Sequence, residues 1–421
     1  MTSATRTIKP APLWQGASFI QPIQLDKGLL WCAVALAVLG WLMVTSASMD
    51  LAQKRFDNAF YISFRHGAYL LLAGAVAWVV VHLPLNFWRK LSAVLIMLSL
   101  VSLVVVLIPG IGREINGSTR WLSLGFMNLQ PSEFAKLATV IYMAGYLERR
   151  REEVQSRWSG FLKPLVVLSM LAVLLLLEPD FGAVVVMMAT AMALLFLGGV
   201  KAGQFFLTVV SVFIASVIIL VSQPYRMQRL AAYMDPWSSE NVYNGGYQLT
   251  QSLIAFGRGE WWGVGLGNSI QKLFYLPEAH TDFVFAIWAE ETGMIGATIL
   301  IGLFAFLFIK ATLLGKRAYA QGAFFSAYIA YGMAMLMGFQ AFINLGVNMG
   351  LLPTKGLTLP LVSYGGSSLL ACAIAIALML RVHHELVTNP QSVDGSAISN
   401  KKTRTQKASV AGRVKSKGSA S

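Results

Sequence analysis

Long stretches of this chain carry no charge at all. Charge-free runs cover residues 28–49, 67–81, 91–109, 181–200, 202–223 and 292–309. The uncharged block 318–354 is long enough for a further run plus a loop, and 356–380 holds another. Such runs are the signature of membrane-spanning helices. Two more candidates are short: 14 apolar residues separate Lys163 from Glu178, and 11 separate Lys136 from Glu148. A helix rises about 1.5 Å per residue, and a hydrocarbon core is roughly 30 Å thick. The second short run must therefore begin earlier, near Pro131, a residue suited to the first helical position. Glu133 and Lys136 then lie at or below the membrane surface. The pattern predicts an all-α integral membrane protein, a bundle of ten transmembrane helices.

Composition sharpens this. Of 421 residues, 56% are hydrophobic and 12% charged, about half the charge of a soluble domain, which excludes an ordinary soluble enzyme. Cys32 and Cys372 both sit in apolar runs, so neither a disulfide framework nor a cysteine zinc site is expected. A polar tail of about 27 residues precedes a first run too long for a signal-peptide core, so no cleavable signal is expected.

Orientation follows from the Lys/Arg bias of the connections. With both termini in the cytoplasm, 22 of the 33 Lys and Arg fall inside and 11 outside, against six acidic residues inside and 13 outside. The net charge of +14 is then a consequence of topology, with a basic inner face suited to anionic lipid headgroups. No nucleic-acid role is needed. The expected organisation is a cytoplasmic tail at 1–27, a membrane domain at 28–387 and a disordered basic cytoplasmic tail at 388–421. The longest polar connection, about 224–282 between helices seven and eight, is rich in aromatic residues and glycines. It predicts a large structured extracytoplasmic loop where function would sit.

Four outward segments carry unusual chemistry. The first runs from Asn116 through Arg120 and Trp121 to Gln130, Ser132, Glu133 and Lys136. Glu133 and Lys136 are i, i+3 neighbours on one helical face. They read either as a self-satisfying ion pair or as a lysine which, with Arg120, faces an anion in a cavity; Arg120-Trp121 also fits an interfacial anchor. The second, Glu178-Pro-Asp-Phe-Gly182, places two carboxylates at the rim, with Asp180 suited to capping the next helix. The third, Leu276-Pro-Glu-Ala-His-Thr-Asp-Phe283, ends with Asp282 at a helix start. A cap is one reading; the crowding of His280, Thr281 and Asp282 exceeds what a cap requires. A helix start favours the ionised carboxylate while burial opposes it, leaving the sign of any pKa shift open. The fourth, Leu352 to Ser368, packs two prolines, three glycines and five Ser/Thr residues, Ser363 and Ser367 among them, between apolar helices. Broken backbone at membrane depth survives only when buried in protein or lining a wet cavity. Lys355 is its lone charge, either functional or snorkelling to the surface.

These segments, in this order, resemble the SEDS family (shape, elongation, division and sporulation) over about residues 28–385. Pro277-Glu-Ala-His-Thr-Asp282, Pro353-Thr-Lys-Gly-Leu-Thr-Leu-Pro360 and Ser46-Ala-Ser-Met49 fit its division members better than its elongation members, which usually carry Gln in place of Ala279. The resemblance implies a peptidoglycan glycosyltransferase in the bacterial inner membrane, concentrated at the division septum and polymerising lipid II. It also implies a class B penicillin-binding protein as partner, with other divisome membrane proteins. Asp282 matches the family's proposed catalytic aspartate. A sugar hydroxyl needs a base, and a diphosphate leaving group needs cations; Asp282 with Arg120, Lys136 and Lys355 supplies that combination. A divalent cation, Mg²⁺ or Mn²⁺, is also implied. No metal-ligand spacing marks its site, and Asp282 is itself a candidate ligand. Rival readings are a lipid II flippase and a non-catalytic scaffold recruiting the transpeptidase.

Overall fold

The computed structural model describes residues 23–388, except 116–117, 124, 126, 222–223 and 354–355. The two expected tails, beyond residues 23–27 and Thr388, and Lys355 fall outside the described residues. The chain begins with three long helices, α1 (Lys27–Phe56), α2 (Tyr61–His82) and α3 (Leu85–Leu107). Asp26 caps α1, its carboxylate accepting from Leu29 N at 3.0 Å. Three short strands follow, β1 (Gly112–Ile115), β2 (Ser118–Ser123) and β3 (Asn128–Leu129), in one antiparallel sheet of order β1-β2-β3. The all-α expectation therefore needs this addition. Ser118-Thr-Arg-Trp-Leu-Ser123 is rich in the hydroxyl, β-branched and aromatic residues that suit a strand, and its pairing presents Arg120 and Trp121 on a fixed frame.

The chain continues through α4 (Pro131–Arg149), α5 (Arg151–Ser156), α6 (Trp158–Leu177), α7 (Phe181–Leu197) and α8 (Ala202–Val221). The long polar connection holds α9 (Pro224–Met234), α10 (Tyr247–Gly259) and an irregular turn at Gln271–Tyr275. Then come α11 (Val284–Ala320), α12 (Phe324–Asn348) and α13 (Gly366–Thr388). Among the described residues, seven helices are long and apolar enough to cross a membrane: α1, α2, α3, α6, α11, α12 and α13. The other three expected spans fall on α4, which carries Glu133 and Lys136, on α7, of only 17 residues, and on α8, whose described apolar stretch is short.

Layering follows from which faces are apolar. α4 and α12 are buried on most sides, and α13 packs against α2 and α12. Outside them, Trp31, Leu71, Trp78, Met97, Val166 and Phe206 point large apolar side chains away from the protein, as lipid-facing positions do. Inner helices meet closely: a Cβ on Gly332 of α12 would lie 2.4 Å from Val140 of α4. At one end of the bundle Lys310 of α11 pairs with Asp26 at 3.2 Å, and Gln24 N reaches His384 of α13 at 3.1 Å. α1 and α11 both run from there to the opposite end, where the polar segments gather.

There α11 is broken once, at Gly293 (φ 68°, ψ −167°). The loop Gly259–Gly265 fills the break. Val264 N donates to Glu290 O at 3.0 Å and Gly265 N to Glu291 O at 3.1 Å. Met294 N donates to Glu260 O at 2.9 Å and Ile295 N to Trp261 O at 3.3 Å. A Cβ on Gly293 would meet Gly263 N and Trp261 O at 2.5 Å. A backbone interruption in a buried helix persists because these partners satisfy its freed groups.

Candidate active site

The polar segments surround a cavity of about 1290 Å³. Its wall takes Arg55 from α1, Arg120 and Trp121 from β2, Gln130 and Glu133 from the start of α4, and Pro179 and Asp180 from the α6–α7 turn. The loop 276–283, Gly356–Thr358 and Tyr364–Ser368 complete it. Asp282 lies in this wall, half-buried. It does not cap a helix: α11 begins at Val284 with Phe283 at the cap position and no side-chain cap bond. Burial pushes the Asp282 carboxyl up to about 7; Glu278 and Asp180 add to the rise and Arg120 opposes it. The open sign is thus settled by desolvation, because the first helical turn does not hold the carboxylate.

Arg120 is gripped by main-chain oxygens. Nε donates to Glu178 O at 3.0 Å and Nη2 to Pro179 O at 2.5 Å, while Nη1 stands 3.8 Å from the Asp180 carboxylate. Asp180 is the expected cap, accepting from Ala183 N at 3.2 Å. It also accepts from Ser132 Oγ at 3.0 Å and Gln130 Nε2 at 3.3 Å, so it organises the rim. Glu178 is wholly buried. Burial, together with neighbouring Asp180, pushes its carboxyl up to about 8.

Lys136 adopts the self-satisfying arrangement. Its ammonium donates to Glu133 Oε1 at 2.9 Å and to Gln340 Oε1 at 2.7 Å, with 1% of the side chain exposed. Of this pair only Glu133 reaches the cavity wall. Ser132 lies behind Asp180, and Ser363 is buried, its Oγ accepting from Leu359 N at 2.8 Å. Ser367 lines the wall and accepts from Gln130 N at 2.9 Å, joining α13 to the start of α4. Thr281 donates to Glu278 Oε2 at 2.7 Å. The His280 ring lies 5.6 Å from that of Tyr364, whose N–H donates to His280 O at 3.0 Å, and burial lowers the imidazole pKa.

Sequence reasoning passed over Arg55, Glu278 and Tyr364 on the wall, and over three amides behind it. Gln340, Asn344 and Asn348 recur every four residues on apolar α12, and that spacing of polar groups in a hydrophobic run was a legible signal. Among the described residues no group of three or more His, Cys, Asp or Glu is arranged to hold a metal ion.

A helical bundle with apolar flanks and, at one end, a large cavity lined by charged, polar and apolar side chains defines a multi-pass membrane protein. The family model described as "Cell cycle protein", FtsW/RodA/SpoVE, matches residues 27–388. The chain belongs to that family. It is 54% identical over 376 residues to a Hahella chejuensis protein named "Probable peptidoglycan glycosyltransferase FtsW", covering 89% of this chain and 94% of the relative. A Nitrosococcus halophilus protein of the same name is 54% identical over 370 residues, covering 88% and 94%. Among solved structures, a chain from work on "structural coordination of polymerization and crosslinking by a peptidoglycan synthase complex" aligns with a TM-score of 0.69 at 28% identity. That alignment covers 87% of this chain and all of that one. The rod shape determining protein RodA of Thermus thermophilus aligns with a TM-score of 0.64 at 28% identity, over 86% of this chain and 98% of that one.

Proposed function

We propose that this chain polymerises lipid II into peptidoglycan glycan strands during septal wall synthesis. One arrangement carries the proposal: the half-buried carboxylate of Asp282 and the guanidinium of Arg120 line the same cavity at one end of a membrane bundle. The 4-hydroxyl of an acceptor sugar attacks the anomeric carbon of a donor, and polyprenyl diphosphate leaves. Asp282 takes the hydroxyl proton; a base poised near neutrality is ionised often enough to act and basic enough to help. The diphosphate departs as an anion, so it needs positive charge more than a proton. Arg120, held by carbonyl oxygens, presents that charge to the cavity, and Arg55 adds a second cation on the wall. Attack opposite the leaving group inverts an α-linked donor to a β-linked product.

A divalent cation suits this donor set in one way. Magnesium keeps bound water and takes one or two carboxylates plus substrate phosphate oxygens. Asp282 and a diphosphate together offer those ligands without a protein cage. When bound, the ion would add charge stabilisation at the leaving group.

The proposal extends to topology and partner. With ten spans, the cavity lies on the extracytoplasmic face, and Gln24 and His384, held together by a hydrogen bond, lie on the cytoplasmic side; the Lys/Arg bias supports this orientation. A class B penicillin-binding protein would crosslink the strands, a reading supported by the likeness to the synthase-complex chain. The test is glycan-strand formation from purified lipid II by the protein with that partner. Wild type should polymerise and Asp282→Asn should not, with partner binding retained. Lipid translocation without polymer would mark a flippase. Division supported by the Asp282→Asn protein would mark a scaffold.

A further inference from the structure

Asp282 sits on a stretch of chain that has left one helix and not yet joined the next. Its carbonyl cannot be satisfied by its own element, and something outside the loop must hold it. Two side chains of α12 do: Asn344 Nδ2 donates to Asp282 O at 2.8 Å, and Asn348 Nδ2 donates to the same oxygen at 3.0 Å. Asn348 Oδ1 also accepts from Ala286 N at 3.1 Å, holding the first turn of α11.

The same helix face grips the opposite wall of the cavity. Asn344 Nδ2 donates to Leu357 O at 2.5 Å, and one turn earlier Gln340 Nε2 donates to Thr358 O at 3.0 Å. Gln340 turns its remaining oxygen to Lys136. All three amides are essentially sealed from solvent, with 3%, 1% and 0% exposure in chain order. Leu357 and Thr358 belong to the segment that begins at Gly356, against which the Asp282 carboxylate rests.

We propose that Gln340, Asn344 and Asn348 are positioning residues, a ladder of amides on α12 that sets the spacing between the chain carrying Asp282 and the segment 356–358 facing it. The inference rests on the reading of Asp282 as the base. Gln340 donates to the 356–358 side, Asn348 to the Asp282 side and Asn344 to both, so a rigid inner helix fixes the distance between two irregular segments. A misplacement of about 1 Å is enough to cost a catalytic group roughly a hundredfold. Packing alone would be served by leucine; three buried amides in an apolar helix are retained only at a desolvation cost that their partners offset.

The experiment compares wild type, Asn344→Leu, Asn344→Ser and Asp282→Asn, each full length with its transpeptidase partner, for kcat and KM of lipid II polymerisation, normalised to the folded, partner-bound fraction. Leucine keeps the branching at Cγ in a somewhat larger side chain and removes both donors. Serine keeps one donor and serves if the leucine variant does not fold. Expected for Asn344→Leu is a 10- to 100-fold fall in kcat with KM for lipid II within threefold of wild type. The serine variant should change in the same direction by less. A loss accounted for by a smaller folded fraction, with kcat per folded protein unchanged, would mark a merely structural role and overturn the ladder. Wild-type turnover in both Asn344 variants beside an inactive Asp282→Asn would overturn it too, while sparing the base. Activity in Asp282→Asn would overturn the base and the ladder together.

Discussion

Gly356 turns its bare Cα toward the carboxylate of Asp282: a Cβ built there would lie 3.0 Å from Oδ2. The absence of a side chain at 356 leaves the room in which that carboxylate stands. Gly356→Ala should therefore push the acid aside by a few tenths of an ångström and lower kcat by about three- to tenfold. Folding and partner binding should be preserved. Single-turnover polymerisation of lipid II measures this, and an unchanged rate would mean that the carboxylate moves without consequence.

A carboxyl raised to about 7 from an ordinary 3.8 has consequences for rate and for stability. The rate should fall about tenfold per pH unit well below 7, as the base is protonated. Stability carries the opposite sign. The folded state binds the Asp282 proton more tightly than the unfolded chain does, so the associated stability is complete below about pH 4 and lost as pH rises through 7. Glu178, raised to about 8, acts in the same direction over a slightly wider window. Asp282→Asn should accordingly melt a few degrees higher than wild type at pH 8, with the gap closing toward pH 4. Melting curves of the detergent-solubilised protein at both pH values check this.

Lys136 and Glu133 are a buried pair, and removing one partner differs from removing both. Lys136→Met strands the Glu133 carboxylate at 6% exposure and should cost about 3–5 kcal/mol. Replacing both residues by apolar ones should recover most of that loss, less about 1–3 kcal/mol for the orphaned Gln340 oxygen. If the pair has a purely structural role, the double variant also regains polymerisation. Thermal melts and activity measured on the same samples separate the two.

Glu290 is fully buried and accepts from Arg258 Nη1 at 3.0 Å, Ile270 N at 3.1 Å, Gln271 N at 3.3 Å and the Ser269 hydroxyl. Arg258 is 38% exposed. Arg258→Ala leaves three donors on a buried carboxylate that has lost its counter-charge and should cost about 1–2 kcal/mol. Glu290→Ala leaves the buried Gln271 N–H and the partly exposed Ile270 N–H without their carboxylate and opens a buried void, and should cost about 3 kcal/mol or more. Limited proteolysis between residues 259 and 276 should report the difference.

The spans that were clearest in the sequence were those whose lipid-facing and protein-facing sides are both apolar, as in α2 and α3. α4 was legible only from Pro131, because its inner surroundings let it hold charge. Asp282 and Arg120 stood out as polar residues in segments too dense with glycine, proline and hydroxyls to be plain loops. The strand pairing of 112–129 was not legible, since two- to six-residue strands leave too short a pattern to tell from a polar connection. Lys136 was ambiguous for another reason. Its fate depends on Gln340, 204 residues away, and a sequence read locally does not reveal which distant oxygen an ammonium will find. Asn344 and Asn348 were visible as polar positions, yet their targets are backbone carbonyls, which every residue has and no sequence marks.

The splice between the 259–265 loop and broken α11 is made wholly of main-chain atoms. Its amide protons at Val264, Gly265 and Met294 should resist deuterium even though Trp262 beside them is 81% exposed. Residues 261 and 264 are correspondingly free to change without loosening the joint, whereas Glu260, at φ 44°, tolerates glycine more readily than a β-branched residue. Gly263 and Gly293 are not free to change, because neither has space for a single methyl group. An exposed joint has thereby been made dependent on its main chain and its glycines more than on the side chains around them.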